Sequence, residues 1–129
     1  MSSPMKAQCY ITLALIQEVK MLDCYTLNGK IAVLELDLMA WQHWFAHADR
    51  LVCCTKWAED EKANQKEIIV FTVFLGVNHN WRDNGAPLLF ETMIFGGAMD
   101  GSCSRVATWE EAEKQHQKTC FLVRLALIN

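Results

Sequence analysis

The side chains with most capacity for chemistry gather in one stretch and on the segment that follows it. Asn78-His79-Asn80-Trp81-Arg82-Asp83-Asn84 is the densest polar cluster in the chain. It lies between two apolar segments, a place where binding and catalytic groups are often carried. Glu91 belongs to the second of these segments. Alternation along a strand from Leu88 puts it on one face with Leu89, Met93 and Phe95. A carboxylate on an apolar face is costly unless paired, and His79, Arg82 and Arg105 are its candidate partners. A His–Glu pair can transfer protons, the carboxylate raising the pKa of the ring. The competing expectation is a structural network that fixes the loop. His116 is the third candidate. It falls on the apolar stripe of the last helix, where a lone His is usually a satisfied core residue; convergence with His79 and Glu91 would favour a site. The expected ligand-binding set is Asn78, His79, Asn80, Trp81, Arg82 and Arg105. His79, Glu91 and His116 are catalytic candidates with no role assigned.

Metal chemistry has weaker support. His43 and His47 stand four residues apart, a spacing that can present two imidazoles to one zinc. The zinc-protease pattern needs Glu directly after the first His, and Trp44 occupies that position. Both rings fall near the side of their helix opposite Trp41, beside Arg50, where solvated residues are the default. The six cysteines (Cys9, Cys24, Cys53, Cys54, Cys103 and Cys120) contain no C-x-x-C pair. Most lie among apolar residues, where a thiol behaves as a small hydrophobe. Reduced thiols are therefore expected rather than a disulfide framework or a structural zinc. The patterns G-x-x-x-x-G-K-S/T, G-x-G-x-x-G and G-x-S-x-G are absent, and with them the usual phosphate-cradling loops and the nucleophile elbow. Trp81 and Trp109 have ring faces that suit a stacked base, but core anchoring and helix capping are the simpler roles. No cofactor is implied.

The elements that must position these groups follow from composition and pattern. A chain of 129 residues fits one domain. Residues 21–129 are expected to form it, with 1–20 as an N-terminal extension whose apolar residues are too continuous to choose helix or strand by period. Apolar residues make up 52% and charged residues 21%, enough side-chain area to offset the entropy of ordering. The net charge is −3 and no segment concentrates Lys or Arg, so nucleic acid is not an expected partner. The apolar run Cys9 to Ile16 is too short for a bilayer, which needs about 20 residues. It also lacks a cleavage pattern, so neither export nor a membrane partner is expected.

Tyr25-Thr26-Leu27 and Ile31-Ala32-Val33-Leu34 flank Asn28-Gly29, which predicts a hairpin closed by a type I′ turn. Asp37 predicts the cap of a helix running to about Ala48, with Leu38, Trp41, Trp44, Phe45 and Ala48 as its apolar stripe. Leu51–Lys56, Glu67–Val77 and Leu88–Phe95 read as strands, residues 59–66 as a charged connection or short helix, and residues 78–87 as a loop. The last two strands are apolar on both faces, so helices or a partner chain are expected to cover both. Arg105 to Ala107 can add a short strand. Thr108 and Glu111 match a capping box and open a helix whose stripe is Ala112, His116, Cys120, Val123 and Leu127. The expected fold class is α+β: one small antiparallel sheet of four to five strands, the hairpin strands included, with two main helices.

Three stretches together resemble a known family. They are Trp41 to Arg50; Thr72-Val-Phe-Leu-Gly-Val-Asn-His-Asn-Trp81 with Pro87-Leu-Leu-Phe-Glu-Thr-Met-Ile-Phe-Gly-Gly97; and Arg105-Val-Ala-Thr-Trp-Glu-Glu-Ala-Glu113 with His116. The chain is similar there to short uncharacterised proteins encoded by tailed bacteriophages and prophages. It departs from them at Val106, where the family has Tyr, at Gln115, where Gly precedes the His, and at Asn78, where Asp is common. Arg82-Asp83 also stands in a loop that is usually glycine-rich. The resemblance implies a phage gene product with no established activity. The expectation is a non-enzymatic accessory protein acting in the host cytoplasm by binding a host or phage protein or a small ligand, with a homo-oligomer as one form it can take. The alternative is a small hydrolase or nucleotide-modifying enzyme built on His79 and Glu91. A third expectation is sequestration of a nucleotide signal by Trp81, Arg82 and Arg105.

Overall fold

A computed structural model of the chain describes residues 23–82 and 84–128. The expected N-terminal extension, the run Cys9–Ile16 and Asp83 of the polar loop lie outside the described residues. The elements are β1 (Tyr25–Asn28), β2 (Ile31–Leu34), α1 (Leu38–His47), β3 (Leu51–Trp57), β4 (Ile68–Phe74), β5 (Phe90–Phe95), β6 (Cys103–Val106) and α2 (Trp109–Ile128).

The fold class is α+β, but the strands form two sheets rather than the one expected. Among the described residues, β1 and β2 pair only with each other, while β3-β4-β5-β6 is a four-stranded antiparallel meander. Cys24 and Val77 make an isolated bridge between the two. The separation has a local cause. The apolar run that reads as a strand through Val77 ends its ladder at Phe74, and Gly76 takes φ of 77°, a left-handed conformation that interrupts extended pairing. The hairpin turn also differs. Asn28 pairs with Ile31, so the central residues are Gly29 and Lys30 rather than the expected Asn28 and Gly29. Only Gly29 has positive φ, the pattern of a type II′ turn rather than type I′.

Asp37 caps α1 as its sequence predicts: Oδ1 accepts from Met39 N at 3.0 Å and Ala40 N at 3.2 Å. The helix buries Trp41 and Phe45. Trp41 Nε1 donates to the carbonyls of Tyr25 and Gly76, both at 3.0 Å, and so ties α1 to both the hairpin and the strand end. A Cβ at Gly76 would press on the rings of Phe45 and Trp41. Arg50, which the sequence places among solvated neighbours, is buried instead. Its Nη1 donates to the Phe74 carbonyl at 2.9 Å and its guanidinium lies 4.0 Å from the centre of the Phe45 ring.

α2 covers one face of the four-stranded sheet, packing Cys120 and Val123 against Ile68, Val70 and Ile94. Thr108 Oγ1 accepts from Glu111 N at 3.2 Å, closing the helix start. The buried stripe is Ala112, His116, Thr119, Cys120 and Val123. Leu127 drops out of it and is exposed. The opposite face carries Ile69, Phe71, Met93 and Phe95, all half-buried, and no described helix packs on it. Coverage of both faces by helices is therefore not what the described residues show. Residues 59–66 form neither helix nor open linker. Asp60 and Gln65 exchange two backbone hydrogen bonds of 2.8 Å and close a tight turn. Among the described residues, no helix is long and apolar enough to cross a membrane.

Candidate functional site

The meander brings Glu91 and Arg105 into direct register across β5 and β6. Of the three partners expected for Glu91, Arg105 makes the ion pair: Nη2 lies 3.1 Å and Nε 3.2 Å from Oε1. The Cys103 thiol, two residues along β6 on the same face, donates to the same oxygen at 2.9 Å. Sequence reasoning missed Cys103. Its signal is the same period-2 spacing that links Arg105 to Glu91. Burial, then the bond and charge of Glu91, push this thiol up to about 12, with Arg105 opposing. Cys103 is thus a protonated donor at neutral pH rather than a nucleophile.

His79 is buried beside this pair. Its backbone N–H donates to the Leu88 carbonyl at 2.9 Å, and Nδ1 lies 2.8 Å from the Val77 carbonyl. A carbonyl only accepts, so Nδ1 carries the proton and Nε2 is a bare lone pair. Burial lowers the His79 pKa most; the Val77 carbonyl raises it, and the charges of Arg105 and Glu91 pull in opposite directions. His79 and Glu91 are in electrostatic reach of each other but share no hydrogen bond.

The rest of the polar loop holds itself together. Asn78 Oδ1 accepts from Asn80 N at 2.8 Å and Leu88 N at 3.0 Å. Asn80 Nδ2 donates to the carbonyls of Asn84 and Ala86 at 3.0 Å, and its Oδ1 accepts from Arg82 N at 3.2 Å. These are side-chain-to-backbone bonds of the kind that shape turns. Asn78 and Asn80 therefore position His79 and Trp81. Trp81 packs edge-on to His79 at 5.8 Å between ring centres and is 56% exposed. Arg82 is exposed.

His116 does not converge with this cluster. It rises from α2 onto the other face of the sheet, where Nδ1 lies 2.7 Å from Thr72 Oγ1 and Nε2 lies 2.8 Å from Thr55 Oγ1. Thr72 Oγ1 lies in turn 2.7 Å from Thr92 Oγ1, and Thr55 bonds the Cys120 thiol. With Thr55 donating to Cys120, the directions run one way: Thr92 to Thr72, Thr72 to His116 Nδ1, and His116 Nε2–H to Thr55. Thr72 and Glu91 lie on opposite faces because Glu91 neighbours Thr92, the partner of Thr72. Burial lowers the His116 pKa. With both ring nitrogens engaged, His116 is a core polar anchor.

His43 and His47 are exposed on α1. The rings stand 4.7 Å apart, and His47 Nδ1 bonds the His43 carbonyl at 2.8 Å. Among the described residues, no group of three or more His, Cys, Asp or Glu is arranged to hold a metal ion. The five described cysteines are free thiols. Compared with known protein families, curated proteins and solved structures, the chain matches none of them.

Proposed function

We propose that this chain is a non-enzymatic accessory protein of a tailed bacteriophage, acting in the host cytoplasm by binding a host or phage protein. The phage origin is supported by the resemblance carried by Thr72–Trp81, Pro87–Gly97 and Arg105–Glu113. A binding role is supported by one observation above others: the last turns of α2 carry large apolar side chains on the exposed side as well as on the side that faces the sheet. Cys120 and Val123 face the sheet, while Phe121, Leu122, Leu125, Leu127 and Ile128 lie in solvent, Phe121 54% and Ile128 79% exposed. Exposed apolar patches mark interaction surfaces. Phe121, Leu125 and Ile128 recur at four- and three-residue spacing, with Lys118 and Arg124 beside them on the helix surface. A partner with an apolar ridge bordered by acidic residues fits this stripe. A homo-oligomer would bring like charges together there.

The hydrolase reading rests on His79 acting with Glu91. It has less support, because Nδ1 of the His and Oε1 of the Glu are already engaged in holding the loop and the sheet. Cross-linking in infected cells tests the binding reading, comparing the wild-type chain with a Phe121→Lys, Leu125→Lys variant of unchanged thermal stability. A discrete adduct formed by the wild type and lost in the variant is the expected result. Identical adducts from both, or none from either, would remove the basis for it.

A further inference from the structure

Among the described residues, two acceptor atoms in the His79–Glu91 cluster have no partner: His79 Nε2 and Glu91 Oε2 are buried, and neither takes a hydrogen bond. Their residues are 4% and 2% exposed. Buried polar atoms are nearly always satisfied, and leaving one bare carries the full cost of its lost hydration. Two bare atoms in one cluster therefore point to a missing donor.

The groups already engaged define that donor. The Val77 carbonyl fixes the His79 proton on Nδ1. Cys103 and Arg105 crowd Glu91 Oε1. What remains is a nitrogen lone pair and a carboxylate oxygen, both acceptors. The charge is already balanced, Arg105 against Glu91 with a neutral imidazole beside them, so a cation would leave an uncompensated charge where burial makes it costly. Trp81 touches His79 and is more than half exposed, which leaves ring surface for a planar group.

We propose that His79 Nε2 and Glu91 Oε2 form the floor of a ligand site for a neutral planar heterocycle bearing a primary amino group, of the nucleobase class. The amino group gives one N–H to each acceptor while the ring lies against Trp81. An amino group conjugated to such a ring is uncharged at neutral pH and has two N–H donors. Recognition is of the base: Arg105 is already paired with Glu91, and no glycine-rich phosphate loop accompanies it.

Calorimetric titration of the full chain with adenosine, cytidine and purine riboside tests this, the last having the purine ring without the amino group. Saturable binding of adenosine or cytidine is expected, with purine riboside weaker by about thirtyfold, the loss of two buried hydrogen bonds. Glu91→Gln, which disturbs one of the two, should weaken the amino-bearing ligand by about tenfold. Trp81→Ala, a change at an exposed side chain that leaves the buried pair intact, should also weaken it. The proposal fails if none of the three nucleosides binds, or if purine riboside binds as well as adenosine. It fails equally if a crystal soaked in adenosine shows only a water held between Nε2 and Oε2.

Discussion

Glu91 and Arg105 face each other in register across β5 and β6, yet both guanidinium contacts fall on one carboxylate oxygen, Oε1. The arrangement is asymmetric in burial as well. The Glu91 side chain is 2% exposed and that of Arg105 38%. The carboxylate has lost its water, whereas the guanidinium has kept much of its own. Arg105 therefore serves chiefly to make the buried Glu91 tolerable, and Oε2 stays open for another donor.

Removing Arg105 should be costly in proportion. Losing one partner of a fully buried pair costs about 3–5 kcal/mol, but the exposure of this guanidinium lowers that figure. Urea unfolding of Arg105→Ala should show a loss of about 1–3 kcal/mol. Combining it with Glu91→Gln, which removes the stranded charge, should recover part of the loss. A double variant as unstable as the sum of the two singles would show that the side chains are energetically independent.

Cys103 is an exposed residue whose sulfur turns inward to Glu91, and it should react slowly. Burial of the sulfur first, and then the bond and charge of Glu91, push its pKa up to about 12, so thiolate is scarce at pH 8. Iodoacetamide labelling followed by mass spectrometry should modify Cys103 well below the rate of an ordinary exposed thiol. Glu91→Gln should raise that rate by about tenfold or more, because the thiolate is the reactive form. Equal rates in the two proteins would mean that Glu91 does not hold the thiol.

How much of this was legible beforehand depended on whether a residue's role is local. The Asp37 cap, the Thr108 start of α2 and the Tyr25–Leu34 hairpin are set by neighbours within a few positions, and the sequence pattern located each. The demand that Glu91 find a partner was legible too, since strand alternation alone puts it among Leu89, Met93 and Phe95. What pattern could not choose was between His79, Arg82 and Arg105, because the choice depends on the β5–β6 register. The same register separates His116 from Glu91 by placing Thr72 and Thr92 on the α2 side. The split into two sheets turns on the backbone at Gly76, where a glycine inside an apolar run reads equally well as strand interior.

His116 should matter for stability rather than for any reaction. Its ring satisfies the hydroxyls of Thr55 and Thr72 in a buried chain. His116→Leu keeps the volume but strands those groups, at about 1–3 kcal/mol for each left unsatisfied. Adding Thr55→Val, Thr72→Val and Thr92→Val to His116→Leu should return part of the loss, since replacing the hydroxyl partners of a network together by apolar groups is far less costly than removing one. Guanidinium unfolding of the single and quadruple variants measures both. A quadruple variant less stable than His116→Leu would argue that the hydroxyls have partners outside this chain of bonds.

The two buried histidines also set the pH response. Burial lowers the pKa of both His79 and His116 below the ordinary 6.5, so the folded chain binds protons less readily than the unfolded one. Their contribution to stability is whole above about pH 6.5 and is lost as pH falls below that value toward the folded-state pKa. In that window each should lower the unfolding free energy by up to about 1.4 kcal/mol per pH unit. Thermal melts from about pH 7.5 to pH 5 should therefore show falling stability in the wild type. His116→Leu, though less stable at pH 7.5, should show a shallower decline. A slope unchanged by that substitution would mean that His116 titrates as freely in the folded chain as in the unfolded one, against its place between Thr55 and Thr72.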